Sequence, residues 1–371
     1  MSNTQQFEKI GKLGFGYMRL PRKYGKFDMD QICKMADAFI ESGGTYFDTA
    51  YVYSGSEEAL CESVVKRYPR DNVQIATKMI MSRINSPEQV DEQLKTSLKR
   101  LGTDHLDFYL LHSLNAKSSE KAEKTGAWQF HQELKAKGLI KHSGFSFHGP
   151  AKDLEEILCK HPETEFVQLQ INYLDWDNPE VESRRLYEIA RKYNKPVIVM
   201  EPVKGGLLAS DASPGAEVLH SFDPNASITS WALRFVAQLE GVLVTLSGMS
   251  TYEQTLDNIA TYADLKPLSA DEQAVIDRAV EAISRVPRVA CTSCKYCEKG
   301  CPSKIAIPEL IDIYNNYLVH KTVANQTGWY KMLTGRGGKA GDCTACRACE
   351  EICPQKLEIA DTMVKISRVF D

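Results

Sequence analysis

The sequence predicts an α/β chain in which a closed (β/α)8 barrel is followed by a small, mainly helical domain. Three observations carry that expectation. Eight short strand-like runs alternate with helical patterns over roughly the first 285 residues. The chain has 371 residues, 43% of them hydrophobic and 25% charged, proportions ordinary for a globular protein and a length too great for one small core. Of 11 cysteines, only Cys33, Cys61 and Cys159 precede residue 290, so the composition changes abruptly near residue 286.

Strands are expected at 12–16, 45–49, 73–78, 106–112, 142–147, 166–171, 197–201 and 242–247. Several are short continuous apolar runs, as strands covered on both faces should be. Helix signals lie between them. Ser86-Pro87-Glu88-Gln89 combines an N-cap, a proline at the first helical position and a capping-box Gln, with Val90, Leu94 and Leu98 on one face. Pro179 opens a segment carrying Leu186, Ile189 and Tyr193, closed by Asn194. Ser269 and Glu272 form a second capping box before Val275, Ala279, Val280 and Ile283, and Pro287 stops that helix. Eight such repeats suit a TIM barrel, typically about 250 residues. The rival is an open doubly wound sheet. Against it, no G-x-G-x-x-G joins a first strand to a first helix, and Gly14-Phe15-Gly16 leads into a loop with Pro21 and Gly25. The expected domains are 1–285 and 286–371, with almost no linker between them.

Lys and Arg number 45 against 49 Asp and Glu, a net charge of −4, which gives no reason to expect nucleic acid as partner. No apolar run approaches the roughly 18 residues of a membrane-spanning helix, and the first ten residues lack the apolar stretch of an export signal. A cytoplasmic protein with no membrane partner is expected. The three early cysteines read as buried small hydrophobes.

The late cysteines form one motif twice. Cys291, Cys294, Cys297 and Cys301-Pro302 follow the pattern C-x2-C-x2-C-x3-C-P, and Cys343, Cys346, Cys349 and Cys353-Pro354 repeat it 52 positions later. Three thiolates so closely spaced can wrap one iron–sulfur cube, with a fourth completing it. Zinc is the competing reading, but zinc sites usually pair two short Cys or Cys/His units across a longer loop. The region resembles bacterial-type dicluster ferredoxins, in which the fourth cysteine of each run ligates the other cluster. That assigns Cys291, Cys294, Cys297 and Cys353 to one [4Fe–4S] cluster, and Cys343, Cys346, Cys349 and Cys301 to the other. The insert between the motifs, 303–342, is long for such proteins. Leu310, Ile311, Tyr314, Tyr317 and Leu318 recur there at helical spacing, which favours a mainly helical ferredoxin-like domain.

In the barrel, polar residues terminate apolar strands where a TIM-barrel active site lies. Asp48 ends the second, Lys78 the third and His112 the fourth, and Tyr53 follows the second in Asp48-Thr49-Ala50-Tyr51-Val52-Tyr53-Ser54-Gly55-Ser56-Glu57. Carbonyl reduction needs such a set. The Tyr53 hydroxyl can give a proton to a developing alkoxide, and Lys78, held by Asp48, can lower a phenol pKa that is ordinarily about 10. His112 can direct the substrate oxygen as a neutral donor.

This D-T-A-x-x-Y segment, followed by Thr77-Lys78 and Leu110-Leu111-His112, resembles the aldo-keto reductase superfamily over roughly residues 8–265. Gly144-Phe145-Ser146-Phe147-His148 resembles its fifth-strand segment, and Val167-Gln168-Leu169-Gln170-Ile171-Asn172 its sixth-strand Gln motif. The resemblance implies that Ser146 and Gln168 hold a nicotinamide carboxamide. It further implies that Gly248, Ser250, Gln254 and Asn258 meet the adenosine, and that Gly16, Tyr17, Met18, Asp48, Met200 and Pro202 also contact the dinucleotide. There are three departures from the family pattern. Ser54-Gly55 follows the tyrosine where Gly is commonest at the first place, and Met200 stands where an aromatic residue often stacks on the nicotinamide. The Lys and Arg that clamp a 2′-phosphate are missing around 248–254, so the cofactor stays open between NADP and NAD.

The resemblance implies an NAD(P)-dependent oxidoreductase that interconverts a small-molecule carbonyl and alcohol and carries two [4Fe–4S] clusters. The alternative is an electron-transfer or redox-sensing protein whose barrel is a cofactor-binding scaffold, with an electron-transfer protein as partner. A nicotinamide passes a hydride and a cluster single electrons, and no separate flavin fingerprint joins them. The loops 115–127 and 205–221 would shape specificity. Trp128, Tyr173 and Trp176 either line the pocket or pack in the core.

Overall fold

A computed structural model describes residues 7, 10–320, 323–335 and 337–371. Eight parallel strands close a barrel: β1 (Leu13–Gly16), β2 (Tyr46–Asp48), β3 (Gln74–Ile80), β4 (Leu106–Leu114), β5 (Ile140–Phe147), β6 (Phe166–Gln170), β7 (Val197–Met200) and β8 (Val242–Ser247). Neighbours pair in chain order, and β1 closes the ring by pairing with both β2 and β8. Every expected strand is present. The open sheet is thereby excluded.

Inward side chains fill the barrel, with Tyr46, Phe108, Leu110, Phe166, Ile198 and Val244 in one buried cluster. Phe7 joins this cluster, its ring 4.6 Å from that of His142. Gly14 is required here because a Cβ would come within 2.6 Å of Val244 and 2.8 Å of Leu246. Its glycine signal is one of barrel packing.

Helices cover the outside, and some of their ends differ from expectation. The helix Pro87–Leu101 starts where proposed, but Ser86 makes no capping bond to its backbone. Gln89 Oε1 instead accepts from the Asn85 N–H at 2.7 Å. The helix expected to open at Pro179 spans Ser183–Lys192, because Asn178 Oδ1 accepts from the N–H groups of Glu180 and Val181 and holds a turn there. A hairpin, Arg22–Lys23 with Lys26–Phe27, occupies what reads as plain loop. Tyr24 and Gly25 at its tip both have positive φ, as a tight hairpin turn demands. Of the early cysteines Cys61 is buried, but Cys33 is only half-buried and Cys159 is exposed. Cys159 occupies the penultimate position of the helix Ala151–Lys160, on the face away from buried Leu154, Ile157 and Leu158.

The chain packs as two units. One comprises Met1–Val203 with Thr229–Asp271, and the other Lys204–Ile228 with Glu272–Asp371. Thus the segment after β7 and the helix Ala270–Ser284, except its first turn, pack with the cysteine-rich region. Within this second unit a Cβ on Gly215 would lie 3.1 Å from the Ala279 carbonyl oxygen. Its other helices are Ile307–His320, Ala324–Thr334, Ala348–Glu351 and Ile359–Phe370. Their core gathers Ile305, Leu310, Ile311, Tyr330, Met363 and Ile366, so the helical pattern read in the insert marks its buried face. Among the described residues, no helix is long and apolar enough to cross a membrane.

Candidate active site and cysteine loops

Of the four barrel residues expected to act together, Asp48, Lys78 and His112 lie toward the ends of three adjacent strands and Tyr53 on the loop after β2. Lys78 is fully buried, and its ammonium donates to Asp48 Oδ1 at 2.5 Å and to the Thr49 carbonyl at 2.7 Å. The same ammonium stands 5.3 Å from the centre of the Tyr53 ring. The rings of Tyr53 and His112 meet edge-on at 5.8 Å. Burial lowers the Lys78 pKa and raises that of Asp48, and each partner's charge opposes the shift of the other. The pair sets the Lys78 nitrogen, with the Asp48 carboxyl opposing its loss of charge, beside a half-buried phenol. His112 is pushed well below the ordinary histidine value by burial, then by Lys78 and His148, so near neutrality it is an uncharged imidazole.

The loop carrying Tyr53 is anchored on both sides. Tyr53 N–H donates to the Ala50 carbonyl at 2.9 Å and Ser56 N–H to the Tyr53 carbonyl at 2.9 Å. The Ser56 hydroxyl reaches the Tyr17 carbonyl at 2.9 Å and lies 2.7 Å from Thr49 Oγ1. Glu57, also buried, accepts from Thr77 Oγ1 at 2.7 Å and from Arg100 at 3.1 Å. Gly55 has φ +76°, and a Cβ there would come within 2.9 Å of Phe27. The glycine displaced by one position relative to the family pattern is thus the residue the loop needs.

The expected cofactor contacts divide into two groups. Gln168 is buried, its amide N–H reaching Met200 Sδ at 3.5 Å, while Gln168 Oε1 has no hydrogen-bond partner among the described residues. Asn258 gives one N–H to Ser247 Oγ at 2.6 Å, and its Oδ1 is likewise without a partner there. A Cβ on Gly16 would come within 3.3 Å of the Ser247 carbonyl oxygen, so β1 and β8 approach closely at their ends, and Gly248 just beyond is exposed. The two orphaned amide oxygens and the exposed glycine fit a polar, planar ligand such as a dinucleotide. Gln254 is exposed and folds back on its own loop, its Oε1 accepting from Ser250 N–H at 2.8 Å, and Ser250 Oγ donates to the Arg19 carbonyl at 2.7 Å. The Ser146 hydroxyl accepts from Ser113 N–H at 2.7 Å. Met18, Met200 and Gly248 lie at the same strand ends, and Pro202, two residues past β7, is buried.

Several aromatic side chains have packing partners. Tyr17, expected to touch the dinucleotide, is fully buried, 3.0 Å from Ser63 Oγ and edge-on to Phe47. Trp128 stacks on His161 at 3.8 Å, and Trp176 packs edge-on to Phe235, which makes both packing residues. His148, Ser113 and the network of Gln170 and Asn172 on Asp175 Oδ2, both at 2.8 Å, escaped the sequence reading. Polar residues following β6 were the available signal for that network.

In the second unit, Cys291, Cys294, Cys297 and Cys353 line one cavity. Cys301, Cys343, Cys346 and Cys349 line another. Burial raises the Cys297 thiol pKa, as do the neighbouring Cys294, Cys291 and Cys353. Such a thiol gains from binding a metal that takes its thiolate. The two loops share a backbone conformation. Ser293, Lys295 and Lys304 have positive φ, and so do Ala345, Arg347 and Lys356, each 52 residues on. The hydrogen bond Lys304 N–H to Cys301 O at 3.1 Å recurs as Lys356 N–H to Cys353 O at 3.1 Å. Each cavity is lined by four cysteines, three from one loop and the fourth from the other, a donor set that fits iron–sulfur chemistry.

With that geometry in place, comparison with known proteins gives the family. The aldo/keto reductase family model matches residues 12–281, and a 4Fe-4S dicluster domain model matches residues 290–358. The chain belongs to the aldo/keto reductase family. It is 30% identical over 230 residues to aldo-keto reductase str7 of Strobilurus tenacellus, covering 58% of this chain and 64% of that protein. It is 25% identical over 297 residues to L-galactose dehydrogenase of Arabidopsis thaliana, covering 74% and 91%. The chain thus spans less than two thirds of the str7 protein's length, and of a Glycine max aldo-keto reductase it spans 63%. A Klebsiella pneumoniae aldo-keto reductase in complex with NADPH shares the fold, with TM-score 0.57 and 22% identity over 72% of this chain and 90% of that one.

Proposed function

We propose that the chain is an NAD(P)H-dependent oxidoreductase that reduces an aldehyde or ketone to an alcohol, or runs the reverse reaction, and that it carries two [4Fe–4S] clusters. The observation that carries the first part is the buried Lys78–Asp48 pair 5.3 Å from the Tyr53 ring. Ser146, Gln168, Met200, Gly248 and Asn258 would hold the nicotinamide dinucleotide, which supplies a hydride when bound. Tyr53 gives its proton to the substrate oxygen, and Lys78 stabilises the phenolate left behind. Neutral His112 donates a hydrogen bond that orients that oxygen. Asp48 keeps Lys78 charged and fixed. Solvent returns the proton to half-buried Tyr53.

The first cluster is assigned to Cys291, Cys294, Cys297 and Cys353, and the second to Cys343, Cys346, Cys349 and Cys301. The two cavities with exchanged fourth cysteines support this, as does the conformation shared by the two loops. Clusters bound there carry electrons singly.

The test is an anaerobic preparation assayed with NADH and NADPH against a panel of carbonyl compounds, with iron and sulfide counted on the same sample. Tyr53→Phe is expected to lower reduction by about 10²–10⁴-fold while leaving cofactor binding and iron content unchanged. Full activity in that variant would transfer the weight to electron transfer with the barrel as scaffold.

A further inference from the structure

Within the second unit, Lys204 is an unusual cation. Its φ is +47°, and Gly205 and Gly206 follow at +66° and +104°, a left-handed turn that few side chains adopt. The side chain is 5% exposed, and its ammonium donates to Gln355 Oε1 at 2.6 Å. Gln355 stands two residues after Cys353 and lines the cavity shared by Cys291, Cys294, Cys297 and Cys353. The turn itself backs onto the same loop, since a Cβ on Gly205 would lie 2.8 Å from Thr292 Cβ. A buried positive charge is thus one amide group away from a set of four thiols.

The internal repeat offers a comparison inside one molecule. Lys295 of the first loop corresponds to Arg347 of the second and Glu298 to Glu350, whereas Lys299 gives way to Glu351, so the loops themselves already differ in charge. The counterpart of Gln355 is Ser303, whose hydroxyl donates to the Asp342 carbonyl at 2.7 Å. Gln355 meets an ammonium where Ser303 meets a backbone oxygen. The equivalence of the two sites breaks here as well as at Lys299 and Glu351.

We propose that Lys204 is a positioning residue that raises the reduction potential of the cluster on Cys291, Cys294, Cys297 and Cys353 relative to its value without that charge. This rests on the two-cluster reading above. One-electron reduction adds one negative charge to the cluster and its thiolates. An ammonium held in poorly hydrated surroundings favours that added charge, and net charge and hydrogen bonding around a cluster set its potential. The cavity of Cys343, Cys346, Cys349 and Cys301 is lined by neither Gln355 nor Thr292, so its cluster should feel that charge less.

The experiment is an anaerobic titration of the holoprotein with dithionite as electron donor, followed by electron paramagnetic resonance. Lys204→Met and Lys204→Gln remove the charge, and Lys204→Arg keeps it. In both neutral variants one of the two cluster signals is expected to move to a more negative midpoint by clearly more than the other, and Lys204→Arg is expected to titrate like the parent. Met and Gln differ in shape and hydrogen bonding, so a shift common to both follows the charge. Unshifted midpoints in both neutral variants would overturn the proposal, as would equal movement of both signals. Iron counted in the parent separates the two readings, because a stoichiometry short of two cubes removes the two-cluster reading itself.

Discussion

Without the Lys78 ammonium, the Asp48 carboxylate would stand alone where only 4% of the residue is exposed. Breaking a buried pair from one side costs about 3–5 kcal/mol, most of it the isolated charge. Lys78→Met is therefore expected to lose both carbonyl reduction and stability. The double variant Lys78→Met with Asp48→Asn should regain most of the stability in thermal melts without regaining activity, which separates the two roles of the lysine. A second residue reports on acid stability. His131 is fully buried, its Nδ1 2.9 Å from Ser143 Oγ and its ring stacked on Tyr109, and burial lowers its pKa from 6.5 to about 3. The unfolded chain then binds more protons than the folded one below pH 6.5, so the stabilisation is complete above that value and fades as pH falls toward 3. The full shift corresponds to roughly 5 kcal/mol. His131→Phe should flatten this acid limb in denaturant titrations run from pH 7 to pH 4.

At the scale of elements, the loop between β2 and the helix Ser56–Leu60 decides where Tyr53 points. Gly55→Ala meets both a left-handed backbone, at about 1–2 kcal/mol, and the Phe27 ring. It should lower kcat/KM as well as Tm. Gly126 offers the control, with φ +71° and open space around its Cα, so Gly126→Ala should lower Tm alone. Elements were also where the sequence was most readable. The eight strands stand out because parallel strands buried on both faces become unbroken apolar runs, and Asp48, Lys78 and His112 stand out because each interrupts such a run. The cysteines declare themselves by spacing. Side-chain direction was less readable. Tyr17 follows a strand end like a mouth residue, yet it turns to Ser63 in the core, and Trp128 finds His161, a partner 33 positions away that no local pattern announces. The Tyr24-Gly25 hairpin was hidden because its strands are two residues long and show no alternation.

For the whole molecule, the division into two units bears on how metal and fold depend on each other. The core of the second unit includes Cys297, with Cys291, Cys301, Cys343, Cys349 and Cys353 packed against it. Oxidative loss of iron should therefore loosen that unit as a body, since structural thiolate sites contribute folding energy directly. Limited proteolysis after iron removal is expected to cut within 290–358 and also within 204–228, while β1 to β6 stay protected. Cuts confined to 290–358 would show that 204–228 holds its fold independently. That second cutting site was invisible in the sequence, where residues 204–228 lie between β7 and β8 and 205–221 reads as a barrel loop that shapes specificity. Their packing with a region some 70 residues further on is a tertiary choice.

The peptide passes between the two bodies three times, at 203/204, 228/229 and 271/272. A stop codon after residue 285 would sever neither of the first two passages and would strand 204–228 without most of its companions. The cysteine-bearing unit is thus assembled from two separate stretches of chain, and cutting the gene at the cysteine boundary would not excise it whole.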